Sequence, residues 1–228
     1  MKILAVSDEV VEILYSPLLK ERYADVDLVL GCGDLPFYYL EYIVTVLDVP
    51  LLYVHGNHDR LAQFRSDGRV VHRAEGCVSI DGQAVRLPLA YIDQRRTPAP
   101  GKDLLLAGLG GSMRYNLDGV HQYSEGQMAA RALQLAPRLL LNRLRYGRSL
   151  DILVTHASPR GIHDAPDPAH IGFNTFLRAM GVFRPRLLLH GHSHVYRSDT
   201  VTRTRYRQTQ VINVYPYRLI EWKGGGDD

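Results

Sequence analysis

The chain has 228 residues, 46% of them hydrophobic and 22% charged, which are the proportions of a folded globular α/β protein and exclude a disordered or fibrous one. A formal net charge of +3 is too small to imply a nucleic-acid partner without a concentrated basic patch. Cys32 and Cys77 stand outside any C-x-x-C pattern, Ser7-Asp8 interrupts the first apolar stretch too early for a signal peptide, and no apolar run has the length of a membrane span. A cytoplasmic protein with reduced thiols and no membrane attachment is expected.

Taken in order, residues 2–6 form a short β-branched strand that ends in Ser7-Asp8, and the spacing of Val10, Ile13, Leu14 and Leu18 predicts a helix over 10–22. A second strand over 26–30 runs into Gly31-Cys32-Gly33-Asp34 and a helix over 36–47. A third, over 51–54, runs into His55-Gly56-Asn57-His58-Asp59. Continuous apolar strands alternating with helices imply buried parallel strands, and such sheets bind ligands beyond the carboxyl ends of their strands. Each of these three strands ends in carboxylate, amide or imidazole groups.

Residues 77–80 and 84–92 read as a hairpin about Asp81-Gly82, and 94–101 as a loop. A buried strand over 104–107 gives way to Gly108-Leu109-Gly110-Gly111-Ser112-Met113-Arg114-Tyr115. Ser124 and Gln127 form a capping box for a long helix ending near Tyr146, which Pro137 is expected to kink or break and Gly147 to stop. In that helix Leu133, Leu135, Leu139, Leu140, Leu141 and Leu144 suit core packing or a subunit contact. A strand over 152–155 ends in His156, a helix is predicted over 168–180, and a strand over 186–189 runs into His190-Gly191-His192-Ser193-His194. An antiparallel pair over 201–203 and 207–214, a final strand over 218–223 and a flexible tail over 224–228 complete one domain spanning 1–223.

The strand ends together hold Asp8, Asp34, Asn57, His58, His156, His192 and His194. In extended chain His192 and His194 project to one side while Ser193 faces away. Oxygen and imidazole donors without thiolate suit divalent manganese, iron, zinc, cobalt or nickel, and a shared carboxylate can bridge two ions about 3.5–4 Å apart.

The order Asp8, Gly33-Asp34, Gly56-Asn57-His58-Asp59, His156, Gly191-His192-Ser193-His194 resembles the calcineurin-like metallophosphoesterase superfamily over nearly the whole chain. The resemblance implies an α/β fold, an αββα sandwich of two mixed sheets flanked by helices. It implies that Asp34 bridges two divalent ions, manganese first among them, that one ion takes Asp8 and His194, and that the other takes Asn57, His156 and His192. His58 becomes the acid at the leaving group, and the adjacent Asp59 either orients it or caps the following segment. The family begins with Asp-x-His, whereas this chain reads Asp8-Glu9-Val10, so the first ion is short of one ligand unless Glu9, Glu12 or water supplies it.

The expected activity is hydrolysis of a small phosphoester, monoester or diester, by a metal-activated hydroxide. Arg114, His163 and His170 are the candidates for substrate contact. A nuclease of the same superfamily is the alternative within the enzyme class. Arg197, Arg203, Arg205 and Arg207, near Tyr196 and Tyr206, suit either nucleic acid or a solvated strand face, and the second is favoured. A degenerate member that binds metal or a phosphorylated ligand without turnover is the alternative outside it. The sequence does not fix the oligomeric state.

Overall fold

The computed structural model describes residues 1–64, 68–88 and 103–222. The chain runs through β1 (Lys2–Val6), a 3-10 turn (Glu12–Tyr15), α1 (Leu18–Tyr23), β2 (Leu28–Gly31), α2 (Phe37–Leu47) and β3 (Leu51–Tyr53). The short pair β4 (Gln63–Phe64) and β5 (Val70–Val71) follows, then β6 (Val78–Ser79), β7 (Ala84–Leu87) and β8 (Leu104–Leu109). Beyond these lie β9 (Ser112–Met113), β10 (Gln122–Tyr123), α3 (Glu125–Tyr146), β11 (Ile152–Thr155), α4 (Asn174–Phe183), β12 (Leu187–His190), β13 (Arg203–Tyr206), β14 (Thr209–Asn213) and β15 (Tyr217–Glu221).

One sheet has the order β15-β1-β2-β3-β6, parallel except where β15 meets β1. The other has the order β13-β14-β12-β11-β8-β7, parallel from β14 to β8 and antiparallel at both edges. Alternation along each strand divides the apolar residues between two faces. Ile3, Ala5, Leu28 and Leu30 meet Leu106, Ile152, Val154 and Leu189 between the sheets. Leu4, Val6 and Val29 turn outward to Leu19 of α1 and Leu40 and Ile43 of α2. On the far side Ala107, Leu153 and Leu188 pack under Met128 and Leu139 of α3 and Phe176 of α4. The result is an αββα sandwich, as the resemblance implied, with each buried aliphatic side chain contributing about 1.5–3 kcal/mol.

Four local expectations are corrected. The stretch 10–22 is not one helix, because Ser16, preceding Pro17, is forced to extended backbone (φ −149°, ψ 165°) and separates the 3-10 turn from α1. The hairpin about Asp81-Gly82 is not a hairpin. Val78 pairs with Leu52 in the first sheet and Ala84 with Ala107 in the second, so the turn carries the chain from one sheet to the other. The helix predicted over 168–180 starts at Asn174, since Asp167 Oδ1 accepts the amides of Ala169 and His170 and holds that segment as a loop. Pro137 does not break α3, which continues through it from Glu125 to Tyr146 with the proline exposed.

The capping box at Ser124 and the left-handed Gly147 stop form as expected. Of the leucines of α3, Leu135 and Leu139 are buried, whereas Leu133, Leu140, Leu141 and Leu144 face outward. Residues 89–92 of the expected hairpin, the loop 94–101, Lys223 and the tail lie outside the described residues.

Candidate metal centre

Five strands from both sheets deliver polar groups to one rim. Asp8 follows β1, Asp34 follows β2, Asn57 follows β3, His156 follows β11, and His192 and His194 follow β12. Asp8 (φ 65°), Asp34 (φ 57°) and His192 (φ 64°) all adopt the left-handed backbone conformation that L-residues avoid, which turns each side chain back over its strand end. Two glycines make room for this. A Cβ at Gly56 would overlap the Asp34 carboxylate, and one at Gly191 would overlap the side chains of Ser7 and Asp8.

One ligand atom each from Asp34, His156 and His192 lies within 4.8 Å of the others. His156 is fully buried, its Nδ1 2.8 Å from Cys32 O and its Nε2 2.9 Å from Asn57 Oδ1 and 3.3 Å from Asp34 Oδ2. Carbonyl oxygen only accepts, so Nδ1 carries a proton and donates it to Cys32 O, leaving Nε2 directed at two further oxygens. His192 Nε2 donates to Ala169 O at 2.7 Å, which leaves its Nδ1 lone pair free. Backbone carbonyls that fix the tautomer of imidazoles in this way are the usual outer support of metal-ligating histidine. Asp8 accepts the His192 amide at 3.0 and 3.2 Å and the Ser7 hydroxyl, and His194 Nε2 stands 3.5 Å from its Oδ1.

The electrostatics favour positive charge here. Burial opposes ionisation of Asp34, yet His156 and the His58 amide outweigh it and hold the carboxyl at about 2. Burial likewise opposes charge on His156, but Asp34 and Asp8 push it up to about 10. Asp8 is lowered too, burial being overcome by His194 and His156. Burial and the neighbouring His156 lower His192, keeping it neutral with a lone pair to offer. A pocket that draws a proton onto an imidazole among oxygen acceptors fits a divalent cation by the same attraction.

The remaining sequence candidates are placed as follows. His58 donates its backbone amide to Asp34 Oδ1 at 2.7 Å and exposes its side chain at the rim. Asp59 Oδ2 accepts the amides of Gly56 (2.8 Å) and Asp34 (3.1 Å), tying the two ligand loops together, and burial followed by the Asp34 charge raises its pKa. The His170 ring lies 5.0 Å from that of His192. Arg114 donates to Gln122 O and Gln127 Oε1 at the start of α3. His163 sits between His190 (2.9 Å) and Thr204 (2.9 Å) under the second sheet. Arg197 pairs with Asp199. Val10 is half-buried against the helix-side cluster of the first sheet, and Glu9 accepts the Tyr215 hydroxyl at 2.9 Å.

Sequence reasoning missed Tyr115, whose hydroxyl accepts from Asn57 Nδ2 at 3.1 Å, although the glycine-rich loop that carries it stood out. It also missed Tyr215, whose ring stacks on His194 at 4.5 Å.

Residues 1–196 match the family described as calcineurin-like phosphoesterase. A search of the curated proteins finds no match. Among solved structures the chain is similar to TT1561 of Thermus thermophilus, with 14% identity over 93% of this chain and 88% of that one and a TM-score of 0.55. A second structure has 13% identity over 93% and 90% of the two chains and a TM-score of 0.56. At such identity the two structures speak to the fold alone. Among the described residues no helix is long and apolar enough to cross a membrane.

Proposed function

The chain belongs to the calcineurin-like phosphoesterase family, and from that premise we propose that it hydrolyses small phosphoesters at a pair of divalent ions, with manganese the first choice. Asp34 would be shared, Asp8 and His194 would hold one ion, and Asn57, His156 and His192 the other. When bound, such ions supply a hydroxide from water near neutral pH and neutralise phosphoryl oxygens. Cys32 O and Ala169 O fix the ring orientations beforehand, so that His192 presents Nδ1 directly and His156 presents Nε2 once an ion displaces its proton, with neither ring turning. His58, exposed beside Asp34, donates the proton to the departing oxygen. Asp59 acts as a positioning residue through the two loop amides it accepts, and His170 backs the His192 ring. Two free cysteines suit a reducing, cytoplasmic setting.

The observation that carries this reading is His156 Nε2, buried, with its other nitrogen committed to Cys32 O and two oxygens converging on it. The test is hydrolysis of bis-p-nitrophenyl phosphate and p-nitrophenyl phosphate by the metal-free protein reloaded with manganese, iron, cobalt, nickel or zinc. Turnover with at least one ion, abolished together with metal binding in Asp34→Ala, is expected. Near wild-type turnover and metal content in Asp34→Ala would defeat the shared-carboxylate arrangement. Binding without turnover is a second reading, favoured by Val10 standing where the family has a ligand. Stoichiometric metal uptake with no hydrolysis of either ester would select it.

A further inference from the structure

Next to the cluster the surface opens into a cavity of about 430 Å³ that includes Asp34 and His58 and is otherwise walled largely by Pro36, Tyr38 and Phe64, with Arg60 also lining it. Tyr38 is 53% and Phe64 74% exposed. Single exposed rings are common on protein surfaces, but two that line one cavity together with a candidate metal ligand and a candidate acid form a built wall.

The two segments that carry these rings are tied to each other. Gln63 Oε1 accepts the Phe37 amide at 2.9 Å and so ties the start of α2, which carries Tyr38, to β4, which carries Phe64. Tyr38 also rests edge-on against Tyr15, ring centroids 5.6 Å apart. Segments tied together before a ligand arrives lose little backbone freedom on binding.

We infer that the phosphoester taken by this site carries a planar aromatic ring on its leaving group, seated against Tyr38 and Phe64 with the phosphoryl group toward Asp34. The inference rests on the phosphoesterase reading above. The ring is assigned to the departing side because the cavity that would hold it is also the one that includes His58. Aromatic faces favour another ring over a saturated one of equal size, since offset-stacked or edge-on contacts add to simple burial.

Benzyl and cyclohexylmethyl phosphates separate stacking from leaving-group chemistry, because their alcohols differ little in acidity. Benzylphosphonate and cyclohexylmethylphosphonate report binding without turnover, by calorimetric titration into the manganese-loaded protein. A preference for the benzyl compound of about five-fold, equivalent to ~1 kcal/mol, is expected in both affinity and kcat/KM. Tyr38→Leu and Phe64→Leu, which keep apolar volume at exposed positions, should reduce it to within about two-fold, and Phe64→Trp should retain it. Equal affinities in the wild type, a preference untouched in both leucine variants, or no binding of either phosphonate overturns the inference. Ring preference in binding without hydrolysis of any ester keeps the aromatic seat at Tyr38 and Phe64 and removes the phosphoesterase reading, and with it the assignment of the ring to a leaving group. Hydrolysis of both esters without preference does the reverse.

Discussion

Asn57 is held at both ends of its amide, Nδ2 donating to the Tyr115 hydroxyl at 3.1 Å and Oδ1 facing His156 Nε2 at 2.9 Å. The tyrosine therefore supports the end of the amide that faces away from the candidate ion, while His156 Nε2 selects Oδ1 for the near end. Tyr115→Phe should leave the melting temperature unchanged and weaken manganese binding by about ten-fold, as loss of an outer-sphere partner does. Calorimetric titration of the metal-free protein checks it, and an unaltered affinity would show that Asn57 is oriented by other contacts.

His58 donates to Asp34 through its backbone amide, a bond that survives removal of the imidazole. His58→Ala should retain its metal and lose about 10²-fold in rate on esters with poor leaving groups, and much less on p-nitrophenyl esters. Comparison of alkyl and nitrophenyl esters under single-turnover conditions measures this. Equal losses on both would argue against a proton donor.

Much of this site is legible in the sequence for a physical reason. Buried parallel strands are continuous apolar runs, so Leu28 to Gly31 or Leu187 to His190 announce both themselves and the polar residue that ends them. What escapes is anything settled by distant partners. Asp81-Gly82 has the chemistry of a hairpin turn, and only the pairing of Val78 with Leu52 and Ala84 with Ala107 makes it a crossing between sheets. Tyr115 lies 58 residues from Asn57, and no local pattern connects them. The loop before α4 is set by the Asp167 side chain taking up backbone amides, which apolar spacing does not register.

Val10 and Glu9 are both turned to other work, one packed against the helix-side cluster and the other bonded to Tyr215. The ion at Asp8 and His194 should then bind more weakly than the ion at Asn57, His156 and His192. Titration of the metal-free protein should give two unequal steps, unchanged in Glu9→Gln. Two equal steps would mean that another group, Glu9 or Glu12 first among them, fills the vacancy, and loss of one step in Glu9→Gln would identify it as Glu9.

Asp81 fastens the crossing between the sheets, accepting from Arg131 at 2.5 Å and from the Gly110 amide at 2.7 Å, with His55 at 3.4 Å. Burial would raise its carboxyl, but His55 and Arg131 prevail and bring it from 3.8 to about 2. Above pH 4 both folded and unfolded chains are ionised here and the stabilisation is complete. As the pH falls toward 2 the unfolded chain takes the proton first and the stabilisation is lost. Asp81→Asn should be less stable than wild type at pH 7 by on the order of 2 kcal/mol, with the gap closing between pH 4 and pH 2. Urea unfolding across that range reads it directly, and a gap independent of pH would assign the loss to packing.

The left-handed backbone at Asp8, Asp34 and His192 sets scaffold and site against each other. Each of these conformations costs roughly 1–2 kcal/mol for a residue with a Cβ, and glycine would relieve it. Together they amount to a sizeable share of the 5–15 kcal/mol that holds a typical domain folded, by rough estimate. Glycine at any of the three would relieve the backbone and at the same time remove a side chain proposed to hold an ion, along with the amide bonds that Asp8 and Asp34 accept. Variants sorted for heat resistance alone are free to give up these side chains wherever the backbone relief exceeds the bonds lost, whereas variants sorted for metal uptake are not.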